Sequence, residues 1–205
     1  MYVPSVVKLT KYSTLGLSVM AMVRIATVFT PDEVIYFNGK QFRHRREHLA
    51  DMRRRDQQHG RIDRVKAQKG KEKRWMKDVN HNISKRIVEI ASKYDNPAIV
   101  FERLDGIRYR MHGSKRFNRM MSSWSFRQLA QMVKYKAERG GIEVVFVDPR
   151  GTSKTCSKCS HNSRSNRPDQ SNFRCVKCGY QTNTDGNAAK NIAAAALRAY
   201  QQGLL

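Results

Sequence analysis

Apolar residues recur along this chain in two rhythms, and each predicts a different kind of element. Leu15–Met22 is nearly continuous in apolar residues, and Arg24–Phe29 is rich in β-branched ones. Pro31-Asp32-Glu33 then supplies a turn, and Val34–Phe37 runs on to Asn38-Gly39. Apolar runs of this length between turn residues predict a three-stranded antiparallel meander, with its tightest hairpin at Pro31–Glu33. The rhythm changes after residue 72. Trp75, Val79, Ile83, Ile87, Ile90 and Tyr94 recur at spacings of three and four, which places them on one face of a helix over 72–94. Asn96-Pro97 stops that helix, and Ala98–Phe101 is a short buried strand ending at Glu102.

A loop with Gly106, Gly113 and many basic residues follows. Ser122 or Ser123 can cap the next helix, on which Phe126, Leu129, Val133 and Ala137 share a stripe. Gly140-Gly141 ends it, Ile142–Val147 is another strand stopped by Pro149, and an alanine-rich helix from about Gly186 to Tyr200 closes the chain. Strands followed by strand–helix alternation predict an α/β fold with a mixed sheet flanked by helices. No repeat of 20 to 50 residues is visible.

Charge narrows the function. Forty Lys and Arg against 17 Asp and Glu give a formal net charge of +23 over 205 residues. A surface so basic would gather polyanions, which points to nucleic acid and away from a small-molecule enzyme. Residues 40–77 alone hold 15 Lys or Arg against five acids, broken by Gly60 and Gly70. This stretch reads either as a solvated helical excursion or as a surface that tracks phosphates. The longest uncharged apolar stretch, about Leu15–Val23, is too short to span a bilayer and lacks a cleavage pattern. The expected compartment is therefore the cytoplasm, with no membrane partner.

In that compartment disulfides are rare, so the four cysteines need another explanation. Cys156-x-x-Cys159 and Cys175-x-x-Cys178 are separated by 15 residues, the spacing of a four-thiolate zinc site. Gly179 follows the second pair, where such a knuckle needs a positive φ. Disulfides or two separate redox pairs are the competing readings; the use of every cysteine in one array favours zinc. A closed four-cysteine site leaves no open position for water, so this zinc would be structural and would supply the folding energy of residues 153–182. His161, beside the array, reads as an exposed loop residue.

Two acids stand at informative places. Glu102 ends an apolar strand, and Asp185 opens the last helix. Glu102 reads either as a surface carboxylate paired with arginine or as a metal ligand. Asp185 reads either as a helix N-cap or as a second ligand.

Three segments carry a resemblance: Thr152–Cys159, Phe173–Gly179 and Asp185-Gly-Asn-Ala-Ala-Lys-Asn-Ile192. Together they resemble the TnpB family, the insertion-sequence OrfB transposase-associated proteins related to the nuclease half of type V CRISPR effectors. Ile99-Val-Phe-Glu102-Arg-Leu104 resembles the second RuvC motif, Asn80–Val88 the bridging helix, and Trp124–Lys136 the next helix. The resemblance implies an RNase H-like (RuvC) fold over 1–150, a basic helical insertion at about 40–94, a four-cysteine zinc ribbon over 151–182, and a final helix over 183–205 completing the core. It also implies RNA-guided DNA cleavage with Mg or Mn, with DNA and guide RNA as partners and Glu102 and Asp185 as catalytic carboxylates.

The chain departs from that pattern in two ways. Where the family has an Asp on its first strand, this chain most closely offers Ser18, a poor ligand for a hard cation. Only about 14 residues precede the first strand, so the family's N-terminal half is missing and truncation is expected. The implied protein binds nucleic acid and is weakly active or inactive alone. The alternatives are a nuclease-dead binding module, such as an RNA-associated repressor or the partner of a separate N-terminal half, and an unrelated basic zinc-ribbon protein.

Overall fold

The computed structural model describes residues 13–18, 24–103, 126–148, 150–169 and 171–202. The expected strand beyond Ser18, the basic loop with Gly106 and Gly113, the cap at Ser122 or Ser123 and the stop at Pro149 lie outside these residues.

The meander forms as expected: β1 (Ser13–Ser18), β2 (Arg24–Phe29) and β3 (Val34–Asn38) pair antiparallel in sequence order. Thr30 fastens the hairpin. Its N–H donates to the Glu33 carbonyl at 2.9 Å, and its hydroxyl accepts from the Glu33 N–H at 3.0 Å. The basic stretch folds into α1 (Lys40–Gln58), α2 (Ile62–Ala67) and the start of α3 (Lys71–Ala91). Gly60 and Gly70 make the breaks with φ of +62° and +76°, a region open to glycine. The excursion is packed as well as charged. Phe42 lies 5.7 Å from Trp75, the Arg45 guanidinium sits 4.9 Å above that indole, and Arg46 pairs with Glu72 at 2.8 Å. Asp56 and Gln68 are both buried, and the Gln68 amide donates to the Asp56 carboxylate at 2.6 Å.

β4 (Pro97–Glu102) and β5 (Glu143–Val147) add to β1 in parallel, giving one five-stranded mixed sheet in the order β3-β2-β1-β4-β5. α4 (Phe126–Arg139) lies between them in sequence. The predicted stripes face the core: Val79, Ile83, Ile87 and Ile90 of α3 join Leu129, Val133 and Ala137 of α4, and Ile99 and Phe101 of β4 pack into the same cluster. Lys136 of α4 ties the two helices by donating to the His81 carbonyl at 2.6 Å and the Ser84 hydroxyl at 2.7 Å.

Side chains alternate along a strand, so Val100 points to the opposite face. There it meets Val147, Ile192 and Ala196. Ile192 and Ala196 belong to α5 (Thr184–Gln201), which lies across that face. Ala188, Ala189, Ala193 and Ala196 are all buried, and such small residues let the helix lie close to the strands. Full burial of a residue like Ile192 is worth about 1.5–3 kcal/mol. Among the described residues, no helix is long and apolar enough to cross a membrane.

Candidate functional site

Between β5 and α5 the chain builds a small ribbon around four cysteines. Cys156, Cys159, Cys175 and Cys178 bring their sulfurs within 4.8 Å of one another. Cys156 and Cys178 sulfurs lie 3.7 Å apart, and those of Cys159 and Cys175 lie 3.5 Å apart. Thiolates tetrahedrally arranged about 2.3 Å from one ion would be about 3.8 Å apart, so this donor set fits zinc. Among the described residues, it is the one such group of three or more potential metal ligands.

The two knuckles are built alike. The Cys156 N–H donates to the His161 carbonyl at 2.9 Å, as the Cys175 N–H does to the Tyr180 carbonyl at 2.8 Å. The Ser160 N–H returns to the Cys156 carbonyl, and the Gly179 N–H to the Cys175 carbonyl, both at 2.9 Å. The residue after each second cysteine is left-handed, Gly179 at φ +71° and Ser160 at +59°. Burial pushes the Cys175 thiol up, but the backbone N–H groups of Cys178 and Lys177 and the sulfurs of Cys159 and Cys178 bring it down to about 6. Against the His161 N–H, burial and the neighbouring sulfurs push the Cys159 thiol up to about 12. A metal entering the cluster must therefore displace protons. His161 contributes its carbonyl rather than its imidazole to this architecture.

Asn166 locks the knuckles together. It is fully buried, its amide donates to the Lys154 and His161 carbonyls at 2.9 Å, and its oxygen accepts from the Val176 N–H at 3.0 Å. Two asparagines one turn apart on α5 then hold the ribbon to the helix. Asn187 donates to the Thr155 carbonyl at 2.7 Å and accepts from the Ser157 N–H at 3.0 Å. Asn191 donates to the carbonyls of Thr152 and Thr155, both at 2.7 Å.

This stapling reaches Glu102. By strand alternation Glu102 points to the α5 face of the sheet, where the Thr152 hydroxyl donates to its carboxylate at 2.6 Å. Glu102 is 9% exposed, and no ion pair reaches it among the described residues. The surface pairing with arginine that its position allowed is therefore not what is seen among those residues. Burial raises its carboxyl above the ordinary value, with the Thr152 hydrogen bond opposing.

The register places the other sequence candidates. Tyr36 pairs with Thr27, Thr27 with Ser18, Leu17 with Phe101 and Glu102 with Val147. Tyr36, Thr27, Ser18, Glu102 and Val147 therefore form one row across the sheet. Asp185 lies in the first turn of α5, but Asn183 is the N-cap: its side chain accepts from the Asp185 N–H at 3.0 Å. The next residue, Gly186, meets this row, since a Cβ there would lie 2.8 Å from the Tyr36 hydroxyl. The α5 start and the C-terminal end of β4 thus belong to the same end of the sheet. The hydroxyls of Thr27 and Thr184 are buried there without a partner among the described residues.

Thr152, Asn166, Asn187 and Asn191 were not assigned roles by sequence reasoning. Three of them lie in the segments that carried the resemblance, and the spacing of Asn187 and Asn191 on one helix face is the signal that was available.

Comparison with known proteins adds to the geometry. Residues 126–192 match the family model "Cas12f1-like, TNB domain". The chain is 39% identical over 138 residues to the CRISPR-associated endodeoxyribonuclease Cas12f1 of Sulfoacidibacillus thermotolerans, covering 66% of this chain and 31% of that protein. It is 34% identical over 171 residues to a TnpB-like protein of Aquifex aeolicus, covering 76% of this chain and 55% of the relative. Its fold matches the cryo-EM structure of a Cas12f1–sgRNA–target DNA complex with a TM-score of 0.73 at 22% identity, over 87% of this chain and 49% of that one. The chain thus spans about a third to a half of these relatives. The mixed α/β fold expected from the sequence is similar to that of Cas12f. Sequence and fold agree that the chain is similar to TnpB-like proteins and to Cas12f1 over part of their length.

Proposed function

We propose that this chain is the RuvC-like portion of a transposon-encoded, TnpB/OrfB-type protein that binds DNA together with a guide RNA and has little or no cleavage activity alone. In this reading residues 1–150 with the final helix form the nuclease core, and 151–182 form the ribbon. The relatives named above are a CRISPR-associated endodeoxyribonuclease and a TnpB-like protein, and the solved neighbour is a complex with sgRNA and target DNA. The +23 net charge supports the same class of partner.

The single observation that carries the reading is Glu102: a buried carboxylate with a neutral hydroxyl partner, at the end of the sheet where α5 begins. A buried anion of this kind calls for a cation. With Asp185 in the adjoining helix turn, Glu102 would hold Mg or Mn, which supplies charge neutralisation and an activated water for phosphodiester hydrolysis. Ser18, at the next position in the row, brings no charge. That substitution is the observation favouring the second reading, a nuclease-dead nucleic-acid-binding module.

The test joins binding and cutting. Affinity for a structured RNA and for duplex DNA is measured from low to high salt, with Mg²⁺ or Mn²⁺ added for cleavage. Binding should weaken steeply with salt because many phosphates are neutralised, and no cleavage should appear. A flat salt response would sink the nucleic-acid reading. Robust cutting that disappears in Asp185→Ala would overturn the inactivity.

A further inference from the structure

We propose that Thr152 is a positioning residue that passes the condition of the four-cysteine cluster on to Glu102. The proposal rests on the reading of Glu102 as a metal-holding carboxylate and adds what sets its position. Every link is a short hydrogen bond. The Thr152 hydroxyl donates to Glu102 at 2.6 Å. Its carbonyl accepts from Asn191 at 2.7 Å, and the same amide group holds the Thr155 carbonyl at 2.7 Å. Thr155 directly precedes Cys156, and its carbonyl is held a second time by Asn187 at 2.7 Å. Thr152 is thus fixed at its main chain by the same helix asparagine that holds the residue before Cys156, while its side chain fixes Glu102.

The arrangement is directional. Thr152, Asn191 and Glu102 are all buried, so water is a poor substitute for any of the three partners. The chain from Gly151 to Cys156 is a compact turn, with the Lys154 and Thr155 N–H groups donating to the Gly151 carbonyl at 3.0 and 2.9 Å. Gly151 itself has φ +81°, and a Cβ there would meet the Asn162 amide at 3.0 Å, so the ribbon packs directly on this turn. Loosening the first knuckle therefore releases the turn that carries Thr152. A carboxylate that has lost its donor is free to change rotamer, and metal sites are sensitive to such outer partners.

The test follows the Glu102 side-chain carboxyl carbon by ¹³C NMR in the full chain, its resonance assigned by loss in Glu102→Gln. Thr152→Val removes the hydroxyl at nearly constant shape, and Thr152→Ser restores it. Zinc content, expected at one per chain in all three, shows that the ribbon is intact. Thr152→Val should shift the resonance, Thr152→Ser should return it, and stripping zinc from the wild type should move it to the Thr152→Val position. Stripping zinc from Thr152→Val should add no further shift. An unmoved resonance in Thr152→Val, or an equal zinc effect in both proteins, would overturn the coupling. Added Mn²⁺ separates the two claims. Failure to broaden the Glu102 resonance would defeat the metal-ligand reading, while the shifts would still decide the role of Thr152.

Discussion

Ser18 and Glu102 stand side by side at the C-terminal ends of two adjacent parallel strands, each one residue beyond the Leu17–Phe101 pair. One buried carboxylate therefore has a serine for its strand neighbour. Ser18→Asp would put two carboxylates at adjacent positions, where like charges oppose joint ionisation. The variant should melt below the wild type in chelator and gain at least about tenfold in Mn²⁺ affinity through the added anionic ligand. Melting curves with and without Mn²⁺ check this; identical Mn²⁺ responses would show that position 18 does not reach the metal.

The raised carboxyl of Glu102 gives a pH signature. Its folded value lies above its unfolded one, so the native state holds the proton more tightly. Its contribution is then best at acid pH and is lost as pH rises from near 4.5 through the raised value. Glu102→Gln, which keeps an acceptor for Thr152, should be more stable than the wild type at neutral pH and lose that advantage in acid. Parallel melting profiles across pH would expose the idea as wrong.

Asn166 is expected to matter more than its modest size suggests. Asn166→Ala abandons three backbone partners inside the ribbon. Leaving buried groups unmet costs about 1–3 kcal/mol each before relaxation and water entry. A loss of about 2–3 kcal/mol, with faster zinc release to a chelator, is the expected result on that basis. An unchanged release rate would count against the bridging role.

Ser160 and Gly179 offer a paired backbone test. Both are left-handed, at φ +59° and +71°, and a Cβ at Gly179 would meet nothing within 4 Å. Strain at Gly179 is therefore conformational alone. Gly179→Ala should cost about 1 kcal/mol, and Ser160→Gly should gain up to about that much. Opposite shifts in melting temperature would confirm the likeness of the two knuckles; shifts of one sign would refute it.

Cys156→Ser should lose bound zinc and become sensitive to trypsin across residues 150–182, because the ribbon's own apolar cluster is confined to Cys156, Phe173 and Cys175 with Cys159 and Tyr180 against it. An unchanged zinc stoichiometry would rule out the four-thiolate site.

The elements that sequence made visible are those with a period. Val79, Ile83, Ile87 and Ile90 announce α3 because an amphipathic helix must repeat its apolar face, and they are buried together. The cysteine spacing is legible because one ion needs four sulfurs from two turns. Thr152 and Asn166 have no period. Each is a single polar residue whose partners are backbone groups of other turns or one carboxylate, and nothing local to them names that partner. Asp185 shows a different limit. Asn183, two residues earlier, is an equally good N-cap and holds that place. Glu102 was visible as an acid at a strand end; its burial became legible only once α5 and the Thr152 turn covered it.

The order of elements also bears on how the molecule is made. α5 closes one face of the central sheet, yet it leaves the ribosome only after every strand of that sheet and the whole ribbon. Chains fold from the N-terminal side as they emerge. Val100 and Val147 must therefore wait, uncovered, while the ribbon is synthesised between β5 and α5. Metal capture shortens the flexible span that has to close before the helix can dock. Zinc supply during translation would then govern how long an aggregation-prone surface stays open.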